Sequence, residues 1–201
     1  MNILSERHAE DFLEKEGFRV VERAFSRSRF GLRKALFKVG FPFVLKASGK
    51  KLLPNGDVSL KHDVKNYTCA LEEFKQLKKI NGAEGVLVQR KIPGKEFFVS
   101  LKKASKTRCT ISFGFFILKE SGEKEVVLKV FTDIKKNIKK IVEEGGKFGK
   151  LSSREKKSLE RFILDMINFI NKNENISEIV VGSLIVDGKN ATIVNAKVEF
   201  R

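Results

Sequence analysis

The sequence predicts an α+β fold in two α+β lobes, with a mixed or antiparallel sheet and a C-terminal β-hairpin. Three observations predict it. Up to about Lys91, helical apolar stripes alternate with short β-branched runs. From Glu96 onward, three strand-like runs follow one another without a helix between them. The chain then closes on SEIVVGSLIVD (Ser177–Asp187) and ATIVNAKVEF (Ala191–Phe200), two apolar runs separated by Gly188, Lys189 and Asn190. The change of pattern places the lobes at residues 1–92 and 93–201.

Ser5 is a cap residue for a helix to about Glu16, with Ala9, Phe12 and Leu13 on one face and Gly17 as its stop. Arg19–Glu22 reads as a short strand. Phe30–Val39 reads as a helix with Leu32, Leu36 and Phe37 inward, and Phe43–Lys46 as a buried strand. A polar loop over Ser48–Asp57 and a short strand over Val58–Leu60 precede a helix over Tyr67–Ile80, whose Ala70, Leu71, Phe74 and Leu77 have helical spacing. Gly85–Lys91 is a strand. In the second lobe Phe97–Lys103, Thr110–Leu118 and Glu125–Phe131 form successive strands, the last two joined through Ser121 and Gly122. Asp133–Glu144 is an amphipathic helix, and Ser152 with Glu155 is a capping box opening a longer one to about Asn171. Leu159, Phe162, Ile163, Met166, Ile167 and Ile170 form its core stripe.

Composition bounds the partners. Lys and Arg number 41 against 25 Asp and Glu, a net charge of +16, which favours polyanions such as RNA. Arg23, Arg27, Arg29, Arg33, Lys34 and Lys38 crowd one segment, with Phe25 and Phe30 among them and Glu22 as its single acid. They are the candidate nucleic-acid-binding residues, since Arg forks to phosphate. Lys102, Lys103, Lys106 and Arg108 crowd a turn, and Lys135, Lys136, Lys139 and Lys140 share a helix face, read as a solvated surface. Cys69 and Cys109 have no metal or CxxC spacing, which fits a reduced, cytoplasmic chain. No apolar run has membrane-span length, so no membrane partner is expected. His8 and His62 read as surface residues, and no P-loop, nucleophile-elbow or zinc-protease motif occurs.

Several strings together resemble a known family. Leu4–Glu6 resembles its opening helix, Phe41–Lys46 (FPFVLK) its lysine-bearing strand, Glu84–Gln89 (EGVLVQ) the strand to its adenine hinge, and Pro93–Val99 (PGKEFFV) the segment after it. The closing hairpin matches in pattern, with Leu184–Val186 and Ala196 retained. In that joint order the chain resembles the ATP-grasp domain of NDP-forming acyl-CoA (acetyl-CoA type) synthetases, related to the β subunit of succinyl-CoA synthetase. The resemblance implies ATP or ADP as cofactor. It makes Lys46 the phosphate lysine, Val88 and Gln89 the adenine hinge, and Glu96 an acid near the nucleotide.

The chain departs from the family where metal is held. The resemblance matches the family's Asp-x-Asn-Pro segment and second Asp to Val180, Gly182, Ser183 and Asn195, and its two Mg²⁺ ligands, the Asn and the second Asp, to Gly182 and Asn195, so Asn195 alone is a vestigial ligand and Mg²⁺ is not expected. The loop after the lysine strand, Ser48–Val58, keeps one Gly-Asp pair, and the family's Gly-rich turn becomes Phe113–Leu118 (FGFFIL). These departures lead to a noncatalytic ATP-grasp-like domain of acyl-CoA synthetase origin, whose basic surface binds RNA or a ribonucleoprotein. The alternatives are the ATP-binding subunit of an ADP-forming acyl-CoA synthetase, paired with a separate CoA-binding chain, and a nucleotide-sensing module.

Overall fold

The computed structural model describes residues 2–49, 52, 60–61, 64, 66–105, 108–118 and 124–201. Most of the Ser48–Val58 loop, with His62, Lys106 and the Ser121–Gly122 turn, lies outside the described residues. The chain divides into two compact units, Leu4–Ile92 and Met1–Ile3 with Pro93–Arg201.

In the Leu4–Ile92 unit the elements are α1 (Glu6–Lys15), β2 (Arg23–Ser26), α2 (Arg29–Val39), β3 (Phe43–Ser48), β4 (Leu60–Lys61), α3 (Tyr67–Leu77) and β5 (Gly85–Arg90). The strands form an antiparallel sheet in the order β2-β5-β3-β4. One sheet face presents Phe43, Leu45, Ala47, Val86 and Val88 to Leu32, Ala35, Leu36 and Val39 of α2 and Ala70, Phe74 and Leu77 of α3. The alternate residues Lys46, Gln89 and Arg23 meet α1 on the opposite face, through Glu6 and Glu10. Covered on both sides, β3 is buried along its whole length.

Three expectations are corrected here. The strand expected at Arg19–Glu22 lies at Arg23–Ser26, paired with Val86–Gln89. It carries an arginine whose side chain turns toward α1, which a reading of apolar alternation counts as outward. Ser5 is the N-cap residue of α1 but makes no side-chain cap bond. Its Oγ instead lies 2.8 Å from His8 Nδ1, while Arg7 donates to His8 Nε2 at 2.9 Å. The neutral ring with its proton on Nδ1 satisfies both contacts. Phe37, expected inward, is on the solvent side of α2.

The second unit holds β1 (Asn2–Ile3), β6 (Lys95–Lys103), β7 (Cys109–Leu118), β8 (Lys124–Phe131), α4 (Ile134–Gly149), α5 (Ser153–Lys172), β9 (Ile176–Asp187) and β10 (Asn190–Phe200). The strands make one antiparallel sheet, β1-β10-β9-β6-β7-β8. The β9–β10 hairpin closes through Gly188 and Lys189, with Gly188 at φ +40° and Asn190 Nδ2 donating to Asp187 Oδ1 at 3.2 Å. The α5 stripe read from sequence is buried throughout. Phe97 and Phe113 stack within the same core at 5.5 Å between centroids. At the far edge, β8 exposes Leu128 and Val130.

Expected to end at Glu144, α4 continues through Gly145 and Gly146. A Cβ on Gly145 would lie 3.1 Å from both Leu159 and Phe113, so the glycine permits close approach of α4 to α5 and β7.

The capping box at α5 is complete: Glu155 N donates to Ser152 Oγ at 3.3 Å and Ser152 N to Glu155 Oε2 at 2.7 Å. Lys95 Nζ donates to the same carboxylate at 2.8 Å and, with the two Ser152 contacts, holds its pKa down at about 2. A depressed carboxyl contributes stability above its unfolded value, 4.5, and loses it as pH falls toward 2. Ser152→Ala is expected to lower stability by about 1 kcal/mol. Glu155→Gln should lower the Tm at neutral pH, with the difference from the parent shrinking as acid is added. A difference independent of pH in thermal melts contradicts the assignment.

Candidate functional site

Site residues of the Pro93–Arg201 unit gather where three strands lose their register. In β9–β10, Ile193 pairs with Leu184, Asn195 with Ser183 and Ala196 with Val181, so the register shifts on either side of Asn195. In β6–β9 the register also jumps, from Phe97–Leu184 to Val99–Val181. Bulges of this kind bend a strand and re-aim its side chains. A Cβ on Gly182 would lie 3.5 Å from Asn195 Cγ and Oδ1, an ordinary contact distance, so positions 182 and 195 face each other. Ser183 Oγ donates to Glu96 Oε1 at 2.6 Å. The corner therefore brings together Glu96, Gly182, Ser183 and Asn195, with one carboxylate among them. Among the described residues no group of three or more His, Cys, Asp or Glu is placed to hold a metal ion. The segment resembling the Gly-rich turn is instead continuous strand in β7. A Cβ on Gly114 there would lie 2.5 Å from the Leu128 side chain of β8.

In the Leu4–Ile92 unit, Lys46 is buried, and its Nζ donates to Glu6 Oε1 at 2.6 Å. Gln89 is buried as well, with Nε2 donating to both oxygens of Glu10 at 2.9 and 3.1 Å. Val88 is fully buried in the middle strand, paired with Ala24 on one side and Leu45 on the other. At the two positions that resemble the adenine hinge, the Val88 side chain lies in the core, the Gln89 side chain meets Glu10, and both residues pair within the sheet.

Arg23, the first of the basic candidates, is turned toward α1. Its guanidinium lies 3.2 Å from Glu10, 2.6 Å from Asp11 and 3.0 Å from Glu14, with the Arg23 side chain 7% exposed and that of Glu10 0%. It is an internal cation of the fold, enclosed by three carboxylates of α1. Burial, aided by the neighbouring Glu6, pushes the Glu10 carboxyl well above its usual range, while Lys46, Arg23 and Gln89 pull it back. Glu10, Glu6 and Ser183 are the partners that sequence reading missed. The available signal was Glu6 and Glu10 at i, i+4 beside Ala9 and Leu13 on a helix otherwise read for its apolar face.

The remaining basic candidates are at the surface. Arg29, Arg33, Lys34 and Lys38 are exposed on α2, and Arg27 is exposed just before it, 4.0 Å from Glu84.

No family model matches this sequence. The chain is 24% identical over 202 aligned residues to an ADP-forming acetate–CoA ligase II of Archaeoglobus fulgidus, an alignment covering 98% of this chain and 30% of that protein. The chain thus spans about a third of the curated relative's length. A dinucleotide-forming acetyl-coenzyme A synthetase 1 of Ca. Korarchaeum cryptofilum, in complex with coenzyme A and Ca-AMPCP, superposes with TM-score 0.81 at 19% identity, over 99% of this chain and 93% of that one. A second structure of that synthetase, with coenzyme A and Mg-AMPPCP, gives TM-score 0.71 at 19% identity over the same shares. Among the described residues, no helix is long and apolar enough to cross a membrane.

Proposed function

We propose that this chain, a domain of ATP-grasp fold related to ADP-forming acyl-CoA synthetases, is a noncatalytic member of that lineage that works as a binding module. Its basic exterior meets RNA or a ribonucleoprotein. The observation that carries the reading is the bulged corner of β6, β9 and β10. The strands there are irregular, and the positions that resemble the family's metal ligands hold Gly182 and Asn195. Mg²⁺ demands near-octahedral oxygen coordination, usually with one or two protein carboxylates, and bridges the phosphates during phosphoryl transfer. Gly182 supplies no oxygen and Asn195 an uncharged one, and Glu96 already accepts from Ser183. That donor set does not fit the ion, so no phosphoryl-transfer step is derived through it.

Titration calorimetry with ATP, with and without Mg²⁺, tests this. The expected result is ATP affinity unchanged by Mg²⁺, and no ADP produced with acetate and CoA present. Gly182→Asn with Asn195→Asp should then introduce a Mg²⁺ dependence, because the two positions face each other and a Cβ at 182 meets Asn195 at ordinary contact distance. Micromolar, Mg²⁺-dependent ATP binding by the parent protein defeats the proposal. It would favour the alternative of a working ATP-binding subunit that acts with a separate CoA-binding chain.

A further inference from the structure

We infer that the solvent face of α2 is a stacking platform for single-stranded RNA, with Phe30 and Phe37 under the bases and the flanking cations on the phosphates. The inference rests on the reading that the basic exterior meets RNA, and it names the part of that exterior that does so. Phe37 is 93% exposed and Phe30 69%, on a helix whose opposite face is buried against the sheet. The two rings are seven residues apart, so they project in nearly the same direction about 10 Å apart along the axis. Arg29 and Arg33 form an i, i+4 row on one flank of that line, Lys34 and Lys38 a second row on the other. Beyond the helix end Phe41 is 55% exposed, with its ring 4.8 Å from that of Phe43 between centroids. No Asp or Glu occurs between Glu22 and Asp57, so no acid of this segment opposes a polyanion.

The chemistry narrows the occupant. Exposed aromatic rings between rows of cations are what sequence-tolerant single-strand binders use, because every base has a π-face and every nucleotide a phosphate. An amphipathic acidic helix needs an apolar stripe of about 100° to dock. Two phenylalanines in single file, edged by charge, offer less. An anionic membrane would draw the Phe30 ring into hydrocarbon. Lys34 Nζ lies over that ring at 4.7 Å from its centroid, where the ammonium is compatible with a stacked nucleotide and costly beside lipid tails.

Fluorescence anisotropy of the full chain with a short labelled oligo(A) tests the assignment, over a series of salt concentrations. Phe30→Ala with Phe37→Ala should weaken binding by at least about tenfold with the salt slope unchanged, since stacking carries no counterion release. Phe37→Trp should retain binding. Arg29→Gln with Arg33→Gln should flatten the slope by about 1.4. Both ring side chains are exposed, so circular dichroism should show each variant folded. Double-stranded RNA, whose bases are already stacked, should compete poorly. If the double phenylalanine variant binds like the parent, the platform is wrong while RNA binding stands. If the parent does not bind oligo(A), both readings fall. Equal competition by polyglutamate, or capture by phosphatidylserine vesicles without RNA binding, also overturns the assignment.

Discussion

Arg23→Met is expected to destabilise the Leu4–Ile92 unit by about 3–5 kcal/mol at neutral pH, because it removes one partner of a buried ion pair and leaves the other. The guanidinium reaches three carboxylates of α1, and Glu10, its innermost partner, is wholly buried. The exposed pairs to Asp11 and Glu14 are individually worth little. The cost falls on Glu10, left with Lys46, Gln89 and a like-charged Glu6. The pH dependence has a definite sign. The folded pKa of Glu10 is raised, so between its unfolded value of 4.5 and the higher folded value the native state holds a proton that the unfolded chain lacks. Stability therefore falls as pH rises through that window. Removing Arg23 raises the folded value further and widens the window. Urea unfolding followed by circular dichroism should show the Arg23→Met deficit shrinking in mild acid. Addition of Glu10→Gln should recover part of it in a double-mutant cycle. A deficit below about 1 kcal/mol, insensitive to pH, would mean that the cluster is solvated and that Arg23 is free for ligand after all.

Phe97→Ala should cost a comparable amount, about 3–5 kcal/mol, in the other unit. Phe97 is buried, stacks on Phe113, and pairs with Leu184 on one side and Phe115 on the other. It occupies the last regular position of β6 before the register with β9 jumps. The backbone beside it is least able to collapse into a cavity without losing the bulge. Chemical unfolding gives the magnitude, and hydrogen exchange gives the location. Protection should fall first at Gly182–Ser183 and Val194–Asn195. Uniform loss over the whole sheet would show that the bulge is not held in place by this ring.

What was legible in the sequence follows from which residues carry periodic signals. The hairpin, the α5 stripe and the capping box were each spelled out locally, by alternation, by i, i+4 spacing and by a Ser-x-x-Glu string. The residues at 182 and 195 were read against a family pattern that matches in its apolar positions and differs in those two side chains. The interface of α1 was not legible. It is built from Glu6, Glu10, Arg23, Lys46 and Gln89, residue types whose default place is water. Only the pairing of β2 with β5, which sets Arg23 opposite Gln89, shows them turned inward. The same blindness put β2 four residues early, and it left unread the contact of Arg23 with α1. Phe37 failed in the opposite sense, an apolar residue that faces solvent.

The outer strand of the larger sheet carries a liability of its own. β8 ends the ladder with Leu128 and Val130 turned to solvent on either side of Lys129, which offers an unpaired rim to any second rim it meets. At low ionic strength, mutual repulsion between highly cationic molecules keeps such rims apart. Concentrated salt shortens the reach of that repulsion to a few ångströms. The abundance of lysine then acts as a colloidal safeguard, and the solubility of the protein is tied to the ionic strength of its surroundings.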